Sequence, residues 1–237
     1  MILENLHTSL LDEIGDARIL RCAIGINWTI VECEFGCGLA QTPIKSMPGC
    51  QPLALAGHFI GENLETIASQ VHSHNPLEIS LAVAAMNAYL NRSDVITEDI
   101  NGLDIFAAPG RNVAVVGRFP GLEGRGFKPL VIELDPRKGE YPAEKSEEVI
   151  DQCDHVIITS SAIVNHTIYD LLGFAKNKKV ALVGPGTPLT PVLFEHGINV
   201  LSGMIVTDPD LAFRVIGEGG AVQALKKAGK YGTLTRM

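Results

Sequence analysis

The chain has 237 residues, 46% of them hydrophobic and 19% charged, with a formal net charge of −8. That length suits one large domain or two modest ones, each with its own core. An acidic chain with no basic run is a poor partner for nucleic acid or an anionic membrane, so neither is expected.

The longest apolar helical run, ISLAVAAM, is far short of the roughly 20 residues of a membrane span. The N-terminus lacks the basic, apolar, small-residue order of a signal peptide, so a cytoplasmic protein is expected. Five cysteines, an odd number, then read as reduced thiols and not as a disulfide framework. The low charged fraction points to a homo-oligomer or, equally, to burial in one large core.

Ile2 to Ile14 reads as an amphipathic helix carrying Leu3, Leu6, Leu10 and Ile14 near helical spacing. Arg21 to Cys33 is rich in β-branched and aromatic residues, and CEFGCGLA after it turns into a second strand, which predicts a hairpin. Pro43, Pro48 and Pro52 mark an irregular connection, and helix resumes at about Ile60 to His72. Asn75, Pro76 and Glu78 then occupy N-cap, N1 and N3 of a helix running to about Asn91. The Asn side chain accepts from a free N–H and the Glu is placed to reach back to the cap amide.

The linker from Ile100 to Asn112 carries turn residues and no periodicity, so the boundary is placed near Asp104, dividing the chain into residues 1–104 and 105–237. Beyond it strands RNVAVVG, PLVIEL, HVIIT, VALVG and INVLSGMIV alternate with helical patterns after the third, fourth and fifth, including one from His166 to Lys176. Alternation of this kind implies a mainly parallel sheet of five or six strands with helices on its faces, a Rossmann-like α/β domain. The N-terminal part is expected to be α+β, a hairpin or small sheet covered by helices.

In open parallel sheets ligands bind outside the carboxyl ends of the strands, so the loops there are the candidate site. The first reads Gly117, Arg118, Phe119, Pro120, Gly121. Arg and Phe stand where a dinucleotide fingerprint has its second glycine, which counts against NAD. What remains is a guanidinium and an aromatic face suited to an anionic or planar ligand, unless Arg118 is spent on a carboxylate of its own fold. Glu133, at the end of the second strand, is where such folds hold a ribose hydroxyl; Asp135-Pro136 beside it also reads as a plain turn. Thr159, Ser160, Ser161 and Asn165 offer hydroxyls and an amide beside a helix start. Gly184, Pro185, Gly186, Thr187 and Pro188 form a rigid loop with exposed amides, suited to a pocket floor.

Near the C-terminus Asp208 reads as a cap, whereas Glu218, flanked by Gly217 and by Gly219 and Gly220, has less structural reason to be acidic and is the better cleft-facing candidate. Asn75 and Glu78 serve as a capping pair or as ligand contacts. Cys33, Cys37, Cys50, His72 and His74 lack the paired spacing of a zinc site, so no protein-borne metal site is expected.

Five segments in order, SHNPLEISLAVAAMNAYLN, VVGRFPGL, HVIITSSAIVNHTIYDLL, GPGTPLTPVLF and DPDLAFRVIGEGG, resemble the prokaryotic family called the putative heavy-metal chelation domain, over nearly the whole chain. The resemblance implies a small enolase-N-terminal-like domain followed by a Rossmann-like domain, and a role in metal or metal-chelate homeostasis with a site in the cleft between them. By motif it marks Asn75, Glu78, Gly117 to Pro120, Thr159 to Ser161, Asn165, Gly184 to Pro188 and Glu218 to Gly220 as cleft residues. This chain departs from the pattern at His166, usually a small residue, and at His74, often an aromatic one.

Two readings follow. One is a protein that binds a small anionic metabolite or metal chelate between the domains, with Arg118 closing over it, Glu218 or Glu78 contacting a cation, and the metal arriving on the ligand. The other is a transferase-type enzyme on an adenosine-containing substrate held by Glu133, with Glu78, Glu218 or His166 as general acid or base. The cofactor is open, a metal chelate being the one candidate.

Overall fold

The computed structural model describes residues 5–44, 49 and 52–236. Helix α1 (Leu6–Asp12) is capped by Asn5, whose side chain accepts from the His7 N–H, and it buries Leu6 and Leu10. The predicted start of this helix at Ile2 and Leu3 lies outside the described residues, as do Pro48 and Cys50. Strands β1 (Ile19–Ile24), β2 (Trp28–Cys33) and β3 (Cys37–Gln41) follow as an antiparallel sheet in the order β1-β2-β3, so the expected hairpin has a third strand. Helix α2 (Leu64–Ala68) tightens into a 3-10 turn, Ser69–His72.

Helix α3 (Pro76–Leu90) begins as its sequence predicts, with the Asn75 side chain accepting from Leu77 N–H at 3.0 Å. The capping box, however, is relayed. The Ser73 hydroxyl donates to Glu78 and accepts from the Asn75 N–H at 3.0 Å, so Glu78 does not itself touch the cap amide. From Ile79 onward α3 is buried on nearly every face, packed against β2, β3, α2 and a short helix of the second half described below. A helix covered all round needs no polar stripe, which explains the run LAVAAM. Small residues also let neighbours approach closely. A Cβ at Gly38 of β3 would collide with the α3 backbone at Ala84 and Ala88.

The second half is a seven-stranded sheet in the order β10-β9-β8-β7-β4-β5-β6. Its strands are β4 (Asn112–Val116), β5 (Lys128–Glu133), β6 (Tyr141–Pro142), β7 (His155–Thr159), β8 (Lys179–Val183), β9 (Val200–Val206) and β10 (Gly229–Thr235). Every neighbouring pair is parallel except β10 on β9. Helices α4 (Ser146–Asp151), α5 (Ser161–Val164), α6 (Ile168–Phe174), α7 (Pro209–Gly217) and α8 (Val222–Leu225) complete the α/β fold. Strand alternation sends Val156 and Ile158 into one core and Ile157 into another, so both faces of the sheet are covered.

Three expectations change. The sheet has seven strands, not five or six, because β6 is a two-residue edge and β10, GKYGTLT, lacks an apolar run. The helix expected from His166 starts at Ile168, because His166 sits at φ 60 and separates α5 from α6. After β8 the turn is 3-10, Pro191–His196. Among the described residues no helix is long and apolar enough to cross a membrane.

Candidate functional site

Strands β4 and β7 are neighbours, yet the chain leaves β4 toward β5 and leaves β7 toward β8. Opposite crossovers from adjacent strands make a topological switch point, the place where open α/β sheets bind ligands. Two glycines make room there. Gly117, just past β4, has φ +99, and a Cβ on it would lie 2.8 Å from the Thr159 side chain. Gly184, just past β8, has φ +142, and its Cβ would lie 2.5 Å from Ser160 Oγ.

Above them is a cleft with two lobes, of about 760 Å³ and about 420 Å³. Trp28, Gln41, Arg118, Pro120, Thr159 and Ser161 line both, so β2 and β3 form one wall and the strand tips the other. Gly117, Glu133, Asn165 and Asp170 belong to the first lobe, and Phe119, Ser160, Gly184 and Pro185 to the second. The sequence reading missed Trp28, Gln41, Lys226, Lys230 and Tyr231. Trp28 had a signal, as the single tryptophan of the chain. Lys230 and Tyr231 had none, because they sit on the unforeseen strand β10.

Arg118 takes the second of its two readings. Its Nε and Nη2 bind the two Glu140 carboxylate oxygens at 3.0 and 2.6 Å, and Nη2 also donates to the Asp135 carbonyl at 3.1 Å. The Arg118 bond, aided by the Arg137 N–H, holds the Glu140 carboxyl down to about 2. The guanidinium fork is therefore engaged within the fold. Asn165, although in the first lobe, uses its Oδ1 on the Thr167 N–H and hydroxyl at 3.1 and 2.8 Å. Glu133 Oε2 accepts from the Leu134 N–H at 3.2 Å.

Other candidates stand apart from both lobes. Asn75 and Glu78 are engaged at the start of α3. Gly186, Thr187 and Pro188 are buried under α3: Asn87 Nδ2 donates to the Gly186 carbonyl at 2.9 Å, and Asn91 Nδ2 to the Thr187 carbonyl at 2.9 Å. Only the first half of that loop faces the cleft. Glu218 is an exposed C-cap of α7, and the Gly219 and Gly220 carbonyls accept from Asn27 Nδ2 at 2.8 and 3.5 Å, fastening the α7–α8 turn to the rim of the first lobe.

His166 faces away from the cleft. It lies 4.6 Å, centroid to centroid, from the buried His7, whose ring bonds the Tyr169 hydroxyl and the Ile163 carbonyl, the latter at 3.0 Å. Burial, with His166 next in weight, pushes His7 down to about 4. Cys33 and Cys37 are buried thiols, Cys37 pushed up to about 12 by burial, and so are held protonated. Among the described residues no group of three His, Cys, Asp or Glu side chains is arranged to hold a metal ion.

The DUF364 family model, described as putative heavy-metal chelation, matches residues 101–235, more than half of the chain. The chain belongs to the DUF364 family. A second model with the same description, DUF4213, matches residues 7–90. A DUF364 protein of unknown function from Desulfitobacterium hafniense DCB-2 is 31% identical, with a TM-score of 0.85 over 98% of this chain and 97% of that one. A DUF364 protein of unknown function from Pyrococcus horikoshii, 20% identical, shares the fold at a TM-score of 0.80 over 100% of both chains. No curated protein matches.

Proposed function

We propose that this DUF364 protein binds a small anionic metabolite or a heavy-metal chelate in the cleft between the small sheet and the Rossmann-like sheet, with a role in metal homeostasis. The observation that carries the reading is the two-lobed cleft at the β4/β7 switch point, where Gly117 and Gly184 leave room for the Thr159 and Ser160 side chains to stand at its lining. The family description supports the metal part. The metal is cargo that comes with its chelator.

Native mass spectrometry of freshly purified protein, with metal analysis of the same sample, tests this. A retained mass of metabolite size that leaves on denaturation is the expected result. A bare chain that takes up no anion in later titrations would overturn it.

A second reading rests on Glu133. The parallel strands, counted from β6, run in the 3-2-1-4-5-6 order of dinucleotide-binding sheets, and Glu133 ends the second of them inside the first lobe. On this reading the protein is a transferase-type enzyme for an adenosine-containing substrate. Adenosine should then bind, and Glu133→Gln should weaken it about tenfold.

A further inference from the structure

The lobes differ in charge. Among the described residues, the first holds the acids Glu133 and Asp170 and one cation, Arg118, whose fork is already on Glu140. In the second, again among the described residues, Lys226, Lys230 and Arg125 join Arg118 against one acid, Asp99. Arg125 is paired with Asp104 at 2.6 Å, but among the described residues Lys226 and Lys230 have no ion pair. Both lysines are exposed, so two unpaired ammonium groups stand at the rim of one cavity in a chain of net charge −8.

The neutral donors of the same lobe are also unspent. Among the described residues Ser160 Oγ and the Tyr231 hydroxyl have no hydrogen-bond partner, though both residues line the lobe and Ser160 is buried. Burial pushes Tyr231 up to about 12, so its phenol remains a donor at neutral pH. Ser160 stands where it does only because position 184 is glycine.

We propose that the second lobe is a subsite for a phosphate group carried by the ligand, held by Lys226, Lys230, Ser160 and Tyr231. This rests on the cleft being the binding site and adds the chemical class of one end of what it binds. Phosphate fits better than carboxylate on two counts. The available cations are ammonium point charges, which serve a tetrahedral oxyanion in any orientation, whereas both guanidinium forks that would favour a planar carboxylate are occupied. Two cations and two hydroxyl donors also match a dianion with three or more acceptor oxygens. Lobe one, with Glu133 and Asp170, takes the end of the ligand that carries donors or a cation.

Trp28 lines both lobes and is the single tryptophan, so its emission reports on either. Titration with pyrophosphate, inorganic phosphate and citrate at fixed ionic strength is the test. Pyrophosphate should give a saturable change that the double variant Lys226→Gln/Lys230→Gln weakens at least tenfold and Ser160→Ala several-fold. Lys227→Gln, which removes an exposed charge outside both lobes, should leave it unchanged. A phosphate response equally reduced by Lys227→Gln would mean general charge attraction and overturn the proposal. So would a saturable response to citrate with none to either phosphate, while leaving the cleft as a binding site. Silence toward all three anions, from protein that also carries no ligand in native mass spectrometry, would overturn both.

Discussion

The small sheet meets the Rossmann-like sheet in two ways: a seam that is sealed and a cleft that is open. A single loop serves both. Gly184 and Pro185 line the cleft, while Gly186 to Pro188 turn under α3, where Asn87 and Asn91 bind their carbonyls. At the seam the Asn87 and Asn91 amides are buried and donate to backbone carbonyls, and their energetics concern stability. In the cleft polar groups are left with open valences, and their energetics concern a ligand. Polarity alone therefore does not mark a functional residue; what matters is whether its partners are already inside the fold.

The sharpest way to break this contrast is Asn91→Ala. Asn91 donates to the Thr187 and Met204 carbonyls at 2.9 and 3.2 Å and accepts from the Leu189 N–H at 2.8 Å. Its loss strands these buried groups and should lower the unfolding free energy by about 4 kcal/mol, at about 1–3 kcal/mol for each group left unsatisfied. Urea denaturation measures it. Gln223→Ala, on the cleft lip, should stay within about 0.5 kcal/mol of wild type. Equal costs at the two sites would end the distinction.

Acid probes another part of the seam, where α1 lies on α5 and α6. His7 is neutral in the folded state, its value lowered from 6.5 to about 4, so between those values the unfolded chain binds the extra proton. Stability therefore falls as pH drops below about 6.5, and the loss is complete near pH 4. It amounts to about 3 kcal/mol at about 1.4 kcal/mol per pH unit. The slope across that range should shrink by about that amount in His7→Gln, with His155 and His166, also lowered by burial, keeping a remainder; an unchanged slope would assign the acid sensitivity elsewhere. Among the seam variants the smallest effect is expected at Thr187, whose buried Oγ1 has no partner among the described residues. Thr187→Val should be neutral or stabilise by up to about 1 kcal/mol in the same urea denaturation, whereas removing a paired hydroxyl would cost stability.

Much of the fold was legible in the chain. The five strands from RNVAVVG to INVLSGMIV carry enough β-branched residues to stand out, and the cap of α3 is written in Asn75-Pro76. Strand β10 was hidden because its pairing with β9 satisfies it from outside its own sequence. The lining of the candidate cleft was legible where strand ends predict it, at Gly117, Thr159, Ser160 and Gly184. It was not legible where a side chain's partner decides its role. Glu78 meets Ser73, Arg118 meets Glu140 and Thr187 lies under Asn91, none of which spacing reveals. Nor could it name Lys226 or Lys230, whose importance depends on which ion pairs do not form.

The glycine at position 38 has a mechanical consequence. Because β3 lies against the α3 backbone with no room for a methyl group, and Gly186 in turn lies 3.0 Å, at its would-be Cβ, from the Leu39 carbonyl, the wall bearing Trp28 and Gln41 is clamped between helix and loop. The opposite lip is held by side chains instead: Arg125 Nε donates to the Gly121 carbonyl at 2.8 Å, its Nη1 pairs with Asp104 at 2.6 Å, and Leu122 is buried. Gly121 and Gly124, both at positive φ, have open space around them. The cleft is thus built like a vice with two kinds of jaw, one locked by backbone lying on backbone and the other by an arginine reaching across its turn.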